Sequence, residues 1–273
     1  MTARDRPVPA ANPRIAAPDK KGAFPLEPIV TEIAPDIFRI SIYPPGAPVS
    51  FGCFLIRDDA PAMVETGFLH MFDLVHGTVR RLIDPSKLRY LVIPHFEMDE
   101  CGSLNRFLAI APHAEPVCSP VGGLVTVRDF SERPPKVVGN RERLPIGRKE
   151  LTFVLAPWVH YWDSMLVYAE QDRTLFTSDL FIQPGDREPF ATEDRSREVV
   201  EFSRFTGLLP SQRHLEVALD RIERLSVDTL ACHHGSVLKG DPQRYYRALR
   251  ENSVGDVVEA PFYELRAETP AGY

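Results

Sequence analysis

Pro-His-Phe-Glu-Met-Asp-Glu-Cys-Gly-Ser-Leu, residues 94–104, follows directly on the apolar run 88–93. His95, Glu97 and Asp99 stand at i, i+2 and i+4, a spacing that places side chains on one side of an extended backbone. Pro94 ends the strand, so the three are expected to emerge where the chain leaves a sheet, ahead of a helix over 102–110. Carboxylates before a helix are favoured by its free N–H groups and dipole, and many are no more than caps. An imidazole crowded with two or three carboxylates is different, because the carboxylates repel one another unless a positive charge lies between them. A metal ion is the expected charge, and the rest of the chain has to supply the remaining ligands.

At 273 residues the chain is long enough for one large domain with a sizeable buried core. Its 44% apolar and 26% charged residues place it among globular rather than disordered chains. A formal charge of −6, with no Lys/Arg cluster beyond short pairs such as Arg80-Arg81, argues against a nucleic-acid partner. Cys53, Cys101, Cys118 and Cys232 are widely spaced and form no C-x-x-C pair, which points to a reduced, cytoplasmic setting rather than a disulfide scaffold. No apolar run reaches the roughly 18 residues of a membrane span, so no membrane partner is expected. Residues 1–28 are rich in Pro, Ala and charge and lack the apolar core of a signal peptide. They read as a flexible N-terminal tail, followed by a domain over 29–255 and a C-terminal tail over 256–273.

Short β segments come first, at 29–33, 37–43, 51–57 and 61–65, punctuated by Pro-Asp, Pro-Pro-Gly and Asp-Asp-Ala-Pro. A helix over 69–83 and the strand 88–93 lead to the quoted stretch. Then come the helix 102–110, strand 115–118, helix 120–128 and an irregular Pro-rich link, 131–147. The second half gives strands 151–157, 164–169 and 174–179, and an irregular polar segment 182–196 that suits a lid or insertion. Helices 197–207 and 211–225, strand 228–232 and helix 242–252 close the pattern. Two sheets packed face to face under outer helices fit this order better than a doubly wound parallel sheet. A carboxylate four-helix bundle is excluded, since the chain has no Glu-x-x-His pair.

Three more ligand-type residues stand where His95 does, at or just after a strand: His160, Asp179 and His234. Singly, a histidine is ordinarily a satisfied core or surface residue, the reading given to His70, His76, His113 and His214. Four strand ends on one edge of a sandwich can instead converge on one pocket. The set resembles the metallo-β-lactamase-like domain of the flavodiiron proteins. Residues 95–104 are similar to that family's H-x-E-x-D-H-x-G-x-L stretch, and Asp163-Ser164-Met165 to its D-S-M. Residues 174–181 are similar to its L-F-x-x-D-x-F strand, and His234-Gly235 to its final H-G. The likeness covers roughly 29–255.

The resemblance implies an α+β fold, a four-layer αββα sandwich, holding a non-haem pair of iron ions. By motif position one iron takes His95, Glu97 and His160, the other takes Asp99 and His234, and Asp179 bridges them. The implied function is binding and reduction of O2 or NO. Independently, a ligand set with three or four carboxylates favours iron or manganese over the zinc of the nitrogen-rich H-x-H-x-D-H hydrolases. Glu100 departs from the family pattern, which has His there. It is a metal ligand, a partner of a terminal water, or a first-turn helix residue pointing away. Too few residues follow helix 242–252 for a flavodoxin-like domain, and no Gly-rich phosphate loop offers an FMN site. Electrons are therefore expected from a separate flavoprotein or rubredoxin-type donor. By analogy with related sites, which accept electrons across a subunit interface, a homodimer is expected.

Glu65 is a candidate acceptor for a ligand histidine. Tyr161 is a candidate hydrogen-bond donor to bound oxygen, and Phe96, Trp162 and Phe181 are candidate apolar lining. His233 is an alternative to His234, with Gly235 favouring the latter. Cys101 and Cys232 read as small buried residues. Two other functions compete with reduction: a di-iron O2 or NO sensor without turnover, and a dinuclear metallohydrolase.

Overall fold

In a computed structural model, which describes residues 26–264, alternation along the strands sets the layers. The first sheet has seven strands in sequential order. They are β1 (Ile29–Ala34), β2 (Ile37–Ile42), β3 (Phe51–Ile56), β4 (Ala62–Val64), β5 (Tyr90–Val92), β6 (Glu115–Cys118) and β7 (Lys136–Val137). It is antiparallel up to β4 and parallel from β4 onward.

The second sheet contains β8 (Arg143–Pro145), β9 (Glu150–Leu155), β10 (Met165–Ala169), β11 (Thr174–Ser178), β12 (Thr229–Cys232) and β13 (Leu238–Lys239), six strands laid side by side in reverse chain order. Only β11 and β12 pair in parallel.

Phe54 and Ile56 of β3 point to one side and Cys53 and Leu55 to the other, as a period of two requires. The first pair meets Met165, Val167 and Phe176 of the second sheet in the core between the sheets. The second pair faces the helices α1 (Phe72–Leu82) and α3 (Leu104–Ile110), through Val75, Val79, Leu104 and Phe107. On the far side, Leu166, Tyr168 and Leu230 pack under α6 (Ser196–Thr206), α7 (Gln212–Ile222) and α8 (Gln243–Glu251). This is the αββα order expected from the sequence. Strands buried on both faces read as near-continuous apolar runs.

Three local expectations are corrected. The helix expected over 120–128 is two short ones, α4 (Pro120–Leu124) and α5 (Val127–Phe130), where α2 is the earlier turn Met98–Cys101. Gly122 and Gly123 weaken the helix interior, and at Gly123 a Cβ would stand 2.2 Å from Val137 Cγ2, so the residue permits contact with β7. The link 131–147 is not irregular throughout, since it carries β7 and β8, and β13 was not anticipated. Two- and three-residue strands have no periodicity to read. Residues 95–99 are not one extended run either, because Asp99 lies in the first turn of α2. Residues 256–264 fold against α6, Phe262 meeting Phe205 edge to face. Positions 1–25 and 265–273 of the two expected tails lie outside the described residues. No helix among the described residues is long and apolar enough to cross a membrane.

The ligand-type residues follow the carboxyl ends of strands from both sheets: Glu65 after β4, His95 after β5, Asp179 after β11 and His233 after β12. The Met165 amide donates to the Pro94 carbonyl at 2.9 Å, joining the sheets beside these ends. Phe176 meets Phe54 edge to face at 5.1 Å in the inter-sheet core. Phe176→Ala is expected to lower unfolding stability by about 3–5 kcal/mol, read from denaturant titration.

Candidate metal centre

His95, Glu97, His160 and Asp179 form one group of converging donor atoms. Glu97 Oε2 lies 3.1 Å from His95 Nε2 and 3.2 Å from His160 Nε2. Asp179 Oδ2 lies 2.8 Å from His160 Nε2 and 3.6 Å from His95 Nε2. Asp99, His233 and His234 form a second group, in which both imidazole Nε2 atoms stand 3.5 Å from Asp99 Oδ2. Asp179 faces both, since its Oδ1 is 3.2 Å from His234 Nε2. The helical turn at Met98 divides the motif: Glu97 still has extended dihedrals and stays with His95, whereas Asp99 is carried to the other group.

Two tests support a cation in each group. With metal–ligand bonds of about 2.1 Å, donor atoms at right or tetrahedral angles stand about 3.0–3.4 Å apart. The observed separations run from 2.8 to 3.6 Å and bracket that range. Asp99 Oδ1, Asp179 Oδ1 and His233 Nε2 are also buried without a hydrogen-bond partner, an arrangement that costs free energy unless a ligand satisfies them. The donors are imidazole and carboxylate, and no thiol takes part. Cys101 and Cys232 are buried, and burial pushes both thiols up, Cys232 to about 12.

The outer partners orient the rings. His234 Nδ1 donates to the Ser50 carbonyl at 2.7 Å, and His233 Nδ1 to Glu65 Oε2 at 2.7 Å. His95 Nδ1 donates to Ser178 Oγ at 3.0 Å, and that hydroxyl donates to Glu100 Oε1. In each case Nε2 is left facing inward, the usual role of such partners at metal sites. Glu100 is thus turned toward His95 and Ser178. Its Oε2 also takes the His95 backbone amide at 3.2 Å, and it groups with Glu65 and His233 rather than with either set above.

Burial and neighbouring charge pull several of these groups in opposite directions. Burial raises the Glu97 carboxyl, but hydrogen bonds from His160 and His95 outweigh it and hold its pKa at about 2. Burial lowers His160, yet Asp179 and Glu97 take it up to about 9. Burial raises Asp179 as well, and His234 and His160 more than offset this. Glu100 goes well above the carboxylate range through burial and the nearby Glu65 and Asp179 charges, which outweigh His233 and the Ser178 hydroxyl. A metal cation would replace the His160 proton.

The backbone is held against its preferences here. Glu65, Trp158, Ser178 and Phe181 have φ of 65°, 66°, 48° and 69°, a left-handed region that costs energy for such residues and clusters at functional sites. Asp163 of the D-S-M stretch accepts from the Phe96 amide at 3.1 Å and pins the His160 loop to the His95 turn. Arg39, 2% exposed, donates to the Gly235 carbonyl at 2.6 Å. At Gly52 a Cβ would stand 2.7 Å from the His233 carbonyl oxygen, so only glycine lets the two strands approach. Sequence reading missed Arg39, Ser50, Gly52 and Ser178, none of which has a pattern to mark it.

A cavity of about 750 Å³ opens on Glu97, His160, Asp179 and His234. Tyr161 lines it, its ring stacked on His95 at 4.9 Å. Phe96 and Phe181 turn away, to Phe130 and to Tyr245 and Tyr246, and Trp162 is not in the wall. The apolar surface comes instead from Tyr43, Val49, Phe202, Phe205 and Phe262, with Ile182 and Pro184 of the irregular 182–196 segment. His70, His76 and His214 rest on Phe68, Phe72 and Ser211, away from both groups.

Fold and site define a β-lactamase-like sandwich with carboxylate-rich ligand groups at one edge. A family model described as "ODP family beta lactamase" matches residues 49–235, and the chain belongs to that family. Among curated proteins, it is 28% identical over 197 residues to the flavo-diiron protein FprA2 of Clostridium acetobutylicum, covering 69% of this chain and 49% of the relative. It is 27% identical over 215 residues to a nitric oxide reductase of Moorella thermoacetica, covering 73% and 52%. The chain thus spans about half the length of these relatives. Among solved structures, a point mutant of a flavo di-iron protein from Thermotoga maritima superposes with a TM-score of 0.73 at 21% identity, over 82% of this chain and 61% of that one. A fragment (1–254) of putative diflavin flavoprotein A 5 from Nostoc superposes with a TM-score of 0.75 at 19% identity, over 84% and 96%. The fold is therefore the flavodiiron β-lactamase-like core.

His95→Ala and, separately, Asp179→Ala are expected to lose most bound metal while keeping the far-UV circular dichroism of the parent, with metal measured by elemental analysis of protein purified without oxygen.

Proposed function

We propose that this chain holds two iron ions and reduces O2 or NO with electrons from a separate flavoprotein or rubredoxin-type donor. The carrying observation is the Asp179 carboxylate, one oxygen on each donor group, 2.8 Å from His160 Nε2 and 3.2 Å from His234 Nε2. In this reading His95, Glu97 and His160 would hold one iron, Asp99 and His234 would hold the other, and Asp179 would serve both. Iron rather than zinc is favoured because hard carboxylate oxygens make up much of each set; manganese shares that preference. Relatives named nitric oxide reductase and flavo-diiron protein support the same chemistry.

When bound, the iron pair would supply electrons to a diatomic ligand. The remaining work belongs to the protein. The Asp179 and Glu97 carboxylates would offset the cation charge, and Asp179 alone faces both groups. Glu100, through Ser178, holds the His95 ring in the tautomer that presents Nε2. Tyr161 covers the His95 ring at the cavity, with its phenol as the candidate proton donor to a ligand bound there. The largely apolar wall favours a small neutral gas over a charged substrate. No Lys or Arg is among the described lining residues, which disfavours a hydrolase acting on phosphodiesters. The cavity is also larger than a diatomic needs and falls in the range that admits an organic ring, in keeping with a donor flavin approaching the metals through it.

Turnover separates the enzyme from a sensor using the same groups. Iron-loaded protein mixed with NADH, a flavin reductase and O2 or NO is expected to consume gas continuously. Consumption that stops after one equivalent per site identifies the sensor, and ester hydrolysis by the zinc-loaded chain without gas consumption identifies the hydrolase.

A further inference from the structure

We propose that His233 is a ligand of the second metal, alongside Asp99 and His234, and that Glu65 is its positioning residue. The inference rests on the two-metal reading above and adds to it a residue that the sequence motif does not offer. Four observations carry it. His233 is fully buried and its Nε2 has no hydrogen-bond partner. That nitrogen stands 3.5 Å from Asp99 Oδ2, the same distance as His234 Nε2, and the three donor atoms converge as one group. Its other nitrogen is committed to Glu65 Oε2 at 2.7 Å, an arrangement that fixes the ring and turns the Nε2 lone pair inward. Glu100, which occupies the motif position for this ligand, is engaged by His95 and Ser178 instead.

The local backbone explains how two successive residues reach one metal. His233 and His234 follow β12, where the chain leaves extended geometry at Gly235, φ +96°. Their rings stand 4.3 Å apart at 74°, so successive side chains do not alternate across a sheet. Arg39 on the Gly235 carbonyl and the bare face of Gly52 against the His233 carbonyl hold that geometry from beneath. Glu65 is presented from the end of β4 by its left-handed φ and by its amide on the Val92 carbonyl at 2.9 Å. With His233 added, the second metal gains a second imidazole besides Asp99 and the shared Asp179.

The test uses the full chain, stripped of metal and reloaded anaerobically with Fe(II) or Co(II), with bound metal per chain as the readout. Wild type is expected to take up about two ions and His233→Gln about one, at unchanged far-UV circular dichroism. Glu65→Gln is expected to retain both sites with the second weakened about 10–100-fold. Undiminished uptake of two ions by His233→Gln overturns the role of His233 and leaves the two-metal reading standing. Fewer than two ions in wild type overturns both. Should His233→Gln not fold, the histidine 15N spectrum of zinc-loaded wild type decides: four imidazoles with metal-bound Nε2 are expected, and three or fewer overturn the inference.

Discussion

The crowding of carboxyl groups at the strand ends is the constraint on which the rest of the structure depends. Glu65, Glu97, Asp99, Glu100 and Asp179 converge with His95, His160, His233 and His234 at the edge of the sandwich. Carboxylates taken out of water cost free energy that mutual proximity only increases. Asp179 shows the resolution most clearly, since it is nearly buried yet strongly favoured as an anion by the imidazoles around it. The arrangement is built for positive charge between its members. Protonated imidazoles can supply some of it, and the donor spacing suits cations better.

The fold supplies what this cluster cannot supply for itself. Two sheets, each covered by helices, form three apolar layers that hold four strand ends in register. Specific ties then aim the side chains: Asp163 to the Phe96 amide, Arg39 to Gly235, and the Thr66 amide to the Glu100 carbonyl at 2.6 Å. Left-handed φ values at Glu65 and Ser178 are part of the same device. The strain is tolerated because surrounding contacts over-determine the geometry.

Membership of the ODP family accounts for the sandwich and for the order of the motifs. It does not by itself fix the chemistry of this chain, which spans about half of relatives such as the flavo-diiron protein of Clostridium acetobutylicum. That chemistry lies in particular side chains. Glu100 has joined the outer support of His95, while His233 is directed at Asp99. The wide aromatic cavity beside the groups sets what can approach them.

The αββα architecture was legible in the sequence because long, doubly buried strands such as β3 and β10 leave apolar runs that end in turn residues. So was the family likeness, carried by local motifs at His95, Asp163, Asp179 and His234. Spacing within a motif misled where the backbone changed conformation: the alternation read into His95, Glu97 and Asp99 breaks at Met98, where α2 begins. Sequence by itself thus determined the layers, the strand ends and the kinds of donor atom available, because these follow from local periodicity and residue chemistry. Tertiary structure alone decided that His233 meets Asp99 and His234, that Glu100 turns to His95 and Ser178, and that Glu65 holds His233 from 168 positions away. Those contacts join segments remote along the chain, and their geometry exists only once the two sheets have closed on each other.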